Sequence, residues 1–298
     1  MVVINCDMGE AYGLYKMGDD RALMPHIDVA NVACGFHASD FNHMRKTVQL
    51  AREFGVKVGA HPSLPDLQGF GRREMKISRE ELSNCLLYQI GALKAFLDAE
   101  GMPLNHIKPH GALYGMASRN EDIAEAVADA ADVYKVPLLG MKGTLHQQVY
   151  ERRGHAFVAE YYADLDYNAD GSLIITREHE AKDPADAASR CARAVNEGKT
   201  RTVAGNDIVV GADSICIHSD TPNAVAIAEA SAKRFAPTSP RAEPPRQRNQ
   251  SRTRKQWQRS RSSRRSRASF TANRRPTSRS TRTTATSSWR ATRSGLSR

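Results

Sequence analysis

Six apolar runs of the sequence finish among charged or imidazole side chains. VVINCDMGE carries Asp7 and Glu10, VANVACGFH ends at His37, and VKVGAHPS carries His61. LNHIKPHGALY carries Lys108 and His110, FVAEYYADLDY carries Glu160 and Asp164, and DSICIHSDTP carries His218 and Asp220. Asp7 and Glu10 could bind a metal, act as a general base, or divide acid and base work between them; the plainer reading of Asp7 is a cap on the following turn. His37 and His61, with Asp7, could form an Asp-His-His metal site or bind substrate directly. No HxxxH or HExxH spacing supports the metal, and a lone strand-end histidine is often a hydrogen-bonded core residue. Lys108 would pay heavily for burial unless it met an anion, which could be a substrate carboxylate, a phosphate, a developing oxyanion, or simply Asp7 or Glu160. Near it, Gly111 and Tyr114 would admit a close backbone approach and supply a phenolic donor. The run GFGRR sets Arg72 and Arg73 beside two flexible glycines, where they could close on an anion or form surface ion pairs.

These residues need a scaffold that gathers strand ends on one face. Strand-like and helix-like runs alternate seven times over residues 1–235, from VVINCDMG and VANVACGF to DSICIH followed by TPNAVAIAEASAKRF. Asp40, Ser78 (opening SREE) and Asp183 read as N-caps, Gly55, Gly101 and Gly154 as helix stops, and Asp170-Gly171 as a turn. Seven βα units predict a parallel sheet with helices outside it. Polar residues at nearly every strand end predict closure into a barrel, because an open sheet concentrates them at one switch point. Neither GxGxxG nor GxxxxGK[ST] occurs, which argues against a dinucleotide fold and a P-loop.

Composition divides the chain in two. The net charge of +10 suggests a nucleic-acid binder, but residues 236–298 hold 18 Lys and Arg against one acid, Glu243. Residues 1–235 hold 25 basic against 32 acidic groups, all ten His and all five Cys. The Arg/Ser-rich tail is too poor in apolar residues to offset chain entropy and is expected to be disordered. Its abrupt start reads as a translation or gene-model artefact, with a solvated tail or an RNA-binding arm as alternatives. The ordered part suits one domain. It has no apolar run long enough for a membrane span. With no basic leader at the N-terminus and five scattered cysteines without CxxC spacing, a reduced, cytoplasmic protein is expected.

NCDMGE, NVACGFHASD, GAHPSLPDLQGFGRR, YQIGAL, IKPHGALY and ICIHSDTP together resemble the LamB/YcsF family, over nearly all of residues 1–235. The resemblance implies an irregular seven-stranded parallel β/α barrel like that of the sugar and peptidoglycan deacetylases. It implies work as the A-subunit of an ATP-dependent 5-oxoprolinase, which converts 5-oxo-L-proline to L-glutamate after subunits B and C activate the lactam by phosphorylation. Carried onto this sequence, Asp7, Glu10, His37, His61, Lys108 and His110 become the catalytic candidates, with Asp7 or a histidine as base. Asn5, Asn31, Arg72, Arg73, Tyr114, Glu160, Asp164, His218 and Asp220 become substrate- and anion-binding candidates. A divalent metal, if bound, would fall to Asp7, His37 and His61. The chain departs from the family pattern at Leu165, where an Arg is usual, and at Asn223, where a Gly is usual. Two other readings stand beside this one: a metal-dependent deacetylase or amidohydrolase acting alone, and an RNA-binding or scaffold protein using the basic tail.

Overall fold

A strand buried on both faces must supply apolar residues outward and something else inward, and the first strand, β1 (Val3–Met8), shows how this chain does it. Ile4, Cys6 and Met8 alternate with Asn5 and Asp7, and all five are buried. The two-residue period sends the apolar set toward the helices and the polar pair into the interior. Buried polar side chains recur in β2 (Val29–Ala33), β3 (Lys57–His61), β4 (Leu104–Ile107), β6 (Phe157–Tyr162) and β7 (Ser214–His218), whereas β5 (Leu138–Gly140) holds only Leu and Gly. In the computed structural model these seven strands form a closed, all-parallel barrel in the order β1-β7-β6-β5-β4-β3-β2. The structure describes residues 2–176 and 180–235. The disorder and the artefact or RNA-arm readings of residues 236–298 therefore lie outside the described residues.

The barrel is irregular where β4 joins it. The β3–β4 register shifts between Val58 and Ala60, and β4 meets β5 through the single pair Ile107–Leu138. The strand LNHIKPHG ends at Ile107, earlier than its sequence suggests. Its continuation still follows β3, since Lys108 N–H donates to Ala60 O and His110 N–H to Pro62 O, each at 2.9 Å. Pro109, which lacks an N–H, falls between them, so Lys108 and His110 keep to one side.

Helices cover the outside: α1 (Asp20–Leu23), α2 (Phe41–Phe54), α3 (Arg79–Ala99), α4 (Gly111–Ala117), α5 (Glu121–Tyr134), α6 (Leu145–Arg152), α7 (Pro184–Glu197) and α8 (Ala224–Phe235). The expected caps form: Asp40 accepts from Asn42 and His43 N–H, Ser78 from Glu81 N–H, and Asp183 from Asp186 N–H. Leu82, Leu86, Ile90, Leu93 and Leu97 give α3 its buried stripe, each side chain contributing about 1.5–3 kcal/mol of burial free energy. Two short antiparallel ribbons lie apart from the barrel. Asp166–Tyr167 pairs with Leu173–Ile174 around the expected Asp170-Gly171 turn. Lys199–Arg201 pairs with Asp207–Val209 around Gly205; this ribbon and α4 were not expected from the sequence. No helix among the described residues is long and apolar enough to cross a membrane.

Candidate active site

The side chains at the C-terminal ends of the strands converge on a buried lysine. Lys108 Nζ lies 2.8 Å from Asp7 Oδ1, 3.1 Å from Glu160 Oε1 and 2.9 Å from Cys216 Sγ. Burial opposes the ammonium charge, but Asp7, Cys216 and Glu160 outweigh it and hold Lys108 well above its ordinary value. Burial likewise works against an ionised Asp7, yet His61 and Lys108 together keep its carboxyl well below the usual range. Asp7 is therefore a fixed anion with little affinity for a proton, which sets the geometry against the base role expected of it.

Behind Asp7 a string of polar groups fills the barrel. Asn31 Nδ2 donates to Asp7 Oδ1 at 2.7 Å and to Asn5 Oδ1 at 2.6 Å, and Asn5 Nδ2 donates to Ser214 Oγ at 2.7 Å. Asn31 Oδ1 lies 2.7 Å from His106 Nε2 and so accepts its proton. Asn5 and Asn31 are fully buried and spend their amides on this string, so they hold Asp7 rather than face a substrate. His106 escaped the sequence reading. Its signal was there in the two-residue spacing of His106, Lys108 and His110, all inward. Gly59 makes its place, because a Cβ on Gly59 would overlap the His106 ring.

On the other side of Asp7 three histidines and a carboxyl cluster. His61 Nδ1 lies 2.8 Å from Lys108 O and His110 Nε2 lies 2.8 Å from Phe70 O. A carbonyl only accepts, so both of these ring nitrogens carry protons. The remaining nitrogens, His61 Nε2 and His110 Nδ1, face each other at 3.0 Å, with Asp7 Oδ2 3.1 Å from His61 Nε2. Two lone pairs and a carboxylate oxygen cannot converge without a cation between them, either a proton on His61 Nε2 or a metal ion. Glu10 Oε1 stands 3.5 Å from His110 Nδ1 and 3.1 Å from His37 Nε2. Burial, then Asp220 and Asp7, raise the Glu10 carboxyl well above its ordinary value against the pull of Arg72. Burial, aided by the neighbouring rings, keeps His37 and His110 neutral-leaning.

Ligand atoms of Glu10, His37, His61 and His110 lie within 4.8 Å of one another. The carbonyls that fix His61 and His110 are the kind of outer support that metal-bound imidazoles have. Their separations also suit a tetrahedral ion with bonds of about 2.0 Å. His37 does not fit: it stacks on His110 at 3.7 Å and 7°, and parallel rings cannot both aim an in-plane lone pair at one ion. Asp7 gives Oδ1 to Lys108 and turns Oδ2 to His61 Nε2, and with Cys216 and His218 it forms a second group of possible ligands. The residues best suited to a divalent ion are thus Glu10, His61 and His110; of the expected Asp7, His37 and His61, the stacking argues against His37, while Asp7 Oδ2 stays beside His61.

The loop after β3 closes the site. Gly71 has φ 66 and lies so near that a Cβ would stand 2.8 Å from both His110 Cδ2 and His37 Cβ. It delivers Arg72, whose guanidinium donates to Asp220 Oδ2 at 2.8 Å and lies over the Phe70 ring. Arg73 turns away to pair with Asp66, half-exposed, and is not brought into the site. His218 Nδ1 and its backbone N–H meet the two oxygens of Asp164 at 3.0 and 2.8 Å, and Thr221 adds a third bond. Burial disfavours a charged His218, but Asp164 prevails and raises it. Its Nε2 lies 3.5 Å from Asp7 Oδ2. Tyr162, also missed from the sequence, donates to Glu160 Oε2 and stacks on His218.

Asp7, His61, Arg72, Lys108, His110, Tyr162, Leu165 and His218 line a cavity of about 30 Å³, room for one or two waters. It adjoins a cleft of about 660 Å³ that shares Arg72, Tyr114, Leu173 and Ile175, and to which Glu160 also contributes. Of the expected residues, Asp7, His61, Arg72, Lys108, His110, Tyr114, Glu160 and His218 line these two cavities; Glu10, His37, Asp164 and Asp220 stand behind them, in contact with His110, His218 or Arg72.

The LamB/YcsF family profile matches residues 2–250, past Phe235 into the basic segment. A 5-oxoprolinase A-subunit from Bacillus licheniformis is 45% identical over 234 residues, covering 76% of this chain and 92% of that protein. A lactam utilization protein lamB of Emericella nidulans is 44% identical over 236 residues, covering 78% and 92%. The crystal structure of a lactam utilization protein from Thermus thermophilus superposes with a TM-score of 0.73 at 43% identity, covering 78% of this chain and 95% of that one.

Proposed function

The chain belongs to the LamB/YcsF family, and on that premise we propose that it opens the ring of 5-oxo-L-proline as the A-subunit of an ATP-dependent 5-oxoprolinase. The observation that carries this reading is the meeting of two opposed arrangements where Asp7 faces His61, both of which line the small cavity. One is a fixed ion cluster, Asp7, Lys108 and Glu160. The other is a set of groups that can exchange protons, Glu10, His110 and His61. Carboxyls driven apart in proton affinity, as Asp7 and Glu10 are, divide the work of charge and of proton transfer.

An unactivated lactam resists water because its amide is resonance-stabilised. ATP use is assigned to subunits B and C, as the family resemblance implies; they would transfer phosphate to the ring oxygen and release ADP. Water, relieved of a proton by the Glu10–His110 pair, then adds to the ring carbon. The C–N bond breaks as the nitrogen takes up a proton, and hydrolysis of the resulting acyl phosphate gives glutamate and phosphate. Lys108 and Arg72 lie where they would stabilise the negative charge of phosphate and developing oxyanion. The ring and its carboxylate would occupy the larger cleft, with the reacting carbon at its border with the water-sized cavity. The need for ATP fits work in the cytoplasm.

A second reading, a metal-dependent amide hydrolase acting alone, is favoured by the fit of Glu10, His61 and His110 to a divalent ion. Such an ion would lower the pKa of a bound water. Purified chain assayed with 5-oxoproline, with and without ATP and subunits B and C, separates the two. Glutamate formed only in the complete mixture supports the first. Glutamate formed by the metal-loaded chain alone, lost on chelation, supports the second and overturns the first.

A further inference from the structure

Eleven large apolar side chains are exposed among the described residues, and four of them, Tyr12, Leu14, Tyr15 and Met17, fall between residues 12 and 17. A fifth, Phe41, follows Asp40, the residue that pins this segment. Leu14 is 98% exposed. The exposure does not come from slackness. Tyr12 and Tyr15 exchange backbone hydrogen bonds of 3.0 and 2.8 Å, making a tight hairpin. Gly13 N–H donates to Asp40 Oδ2 at 2.8 Å, Gly13 O lies 3.1 Å from His43 Nε2, and Ser39 N–H donates to Ala11 O at 3.0 Å. At its far end Gly18 packs on Ser219, where a Cβ would stand 2.7 Å from Ser219 O. Ser219 in turn donates to Glu10 Oε2 at 3.3 Å. A tightly bonded hairpin thus holds an apolar tip in water, starting two residues after Glu10 and returning to a neighbour of Glu10.

Single exposed apolar residues are ordinary, but a contiguous group of Tyr, Leu, Met and Phe is the composition of an interface centre. We propose that the Tyr12–Met17 hairpin with Phe41 is the docking surface for the protein that activates the lactam with ATP. This rests on the ring-opening reading above. The activated ring hydrolyses readily, so the partner that makes it gains from being seated beside the carboxyl that acts on it. The hairpin fits an apolar groove in a protein; with Lys16 as the single cation from residue 12 to 17, it does not fit a nucleic-acid backbone. A second copy of this chain seated there would cover the reaction face without bringing the ATP-dependent step to it.

The test is a titration of the full chain with subunits B and C while glutamate is measured, for the unmodified protein and for a Leu14→Asp/Tyr15→Asp variant. The expected result is a half-saturating concentration of partner raised about tenfold or more, as for loss of an interface anchor, with the same maximal rate at saturation. Unchanged half-saturation overturns the proposal. A lowered maximal rate at unchanged half-saturation also overturns it and makes the hairpin part of the reaction site. A change in the chain's own mass by light scattering, with half-saturation unchanged, assigns the surface to a second copy instead. If the unmodified chain makes no glutamate, the ring-opening reading falls separately. Co-elution of the chain with B and C then decides: loss in the variant supports the docking surface, and retention overturns it.

Discussion

Replacing Lys108 by Met should destabilise the fold as well as stop the reaction. Met keeps most of the aliphatic stem but removes the charge that faces Asp7 at 2.8 Å and Glu160 at 3.1 Å. At an effective dielectric constant of about 20, each contact at such a distance amounts to about 5–6 kcal/mol of Coulomb energy before desolvation. Desolvation offsets much of this, and breaking a buried pair by deleting one partner costs about 3–5 kcal/mol net. Asp7 retains Asn31 and His61, so most of the loss should fall on Glu160. Domains of this size are stable by about 5–15 kcal/mol, so the variant should fold at 25 °C and unfold at distinctly lower urea. Adding Glu160→Gln to Lys108→Met should recover about 1 kcal/mol or more, within the usual range of coupling between contacting residues. Urea unfolding of the wild type, both single variants and the double variant gives the cycle. A loss below about 1 kcal/mol for Lys108→Met, the value of an exposed pair, would refute the reasoning, as would additivity with Glu160→Gln.

Gly59→Ala should lower the melting temperature, because its methyl group must displace the His106 ring from the string that holds Asp7; overpacking of this kind costs about 1–3 kcal/mol, and an unchanged melt would show that the ring moves freely. Arg72→Ala should raise KM or lower kcat for ring opening, whereas Arg73→Ala should leave steady-state kinetics unchanged, since Arg73 points to Asp66; equal effects would contradict the placement of the two. Burial raises Asp20 to about 6 even though Gly9 N–H and Thr47 donate to it. A carboxyl raised on folding favours the folded state below its unfolded value near pH 4, and that contribution is lost as pH rises through 6, up to about 2–3 kcal/mol in all. Asp20→Asn should therefore gain stability relative to wild type from pH 4 to pH 7, and parallel melting curves across that range would count against it.

The barrel was legible because six of its seven strands carry their own stop signal. Apolar runs ending at Asp7, His37, His61 and His218 mark strand ends whatever their neighbours are, and caps at Asp40, Ser78 and Asp183 delimit helices locally. Roles were less legible than positions. Asp7 reads from sequence as a proton acceptor, and only the barrel shows Lys108 and His61 facing it. Asn5 and Asn31 look like substrate contacts until the string through His106 accounts for every amide atom. Arg72 and Arg73 are adjacent and alike, and only the backbone turn at Phe70 and Gly71, both with positive φ, sends one inward and the other to Asp66. The exclusion of His37 from a metal set depends on its stacking against His110, which no spacing encodes. Leu165, read as the loss of a charge, proves to be a buried wall of the small cavity beside His218.

We propose that this chain opens the ring while ATP is used elsewhere. This is tested most directly by measuring ADP and glutamate in one reaction mixture of 5-oxoproline, ATP, subunits B and C, and either the unmodified chain or Glu10→Gln. The unmodified chain should give glutamate only when ATP is present, with one ADP for each glutamate. The Glu10→Gln chain should fold normally and lose about 10²–10⁴-fold in glutamate formation, the usual cost of removing a positioned acid or base. Glutamate formed without ATP, or at an undiminished rate by the Glu10→Gln chain, would contradict the account.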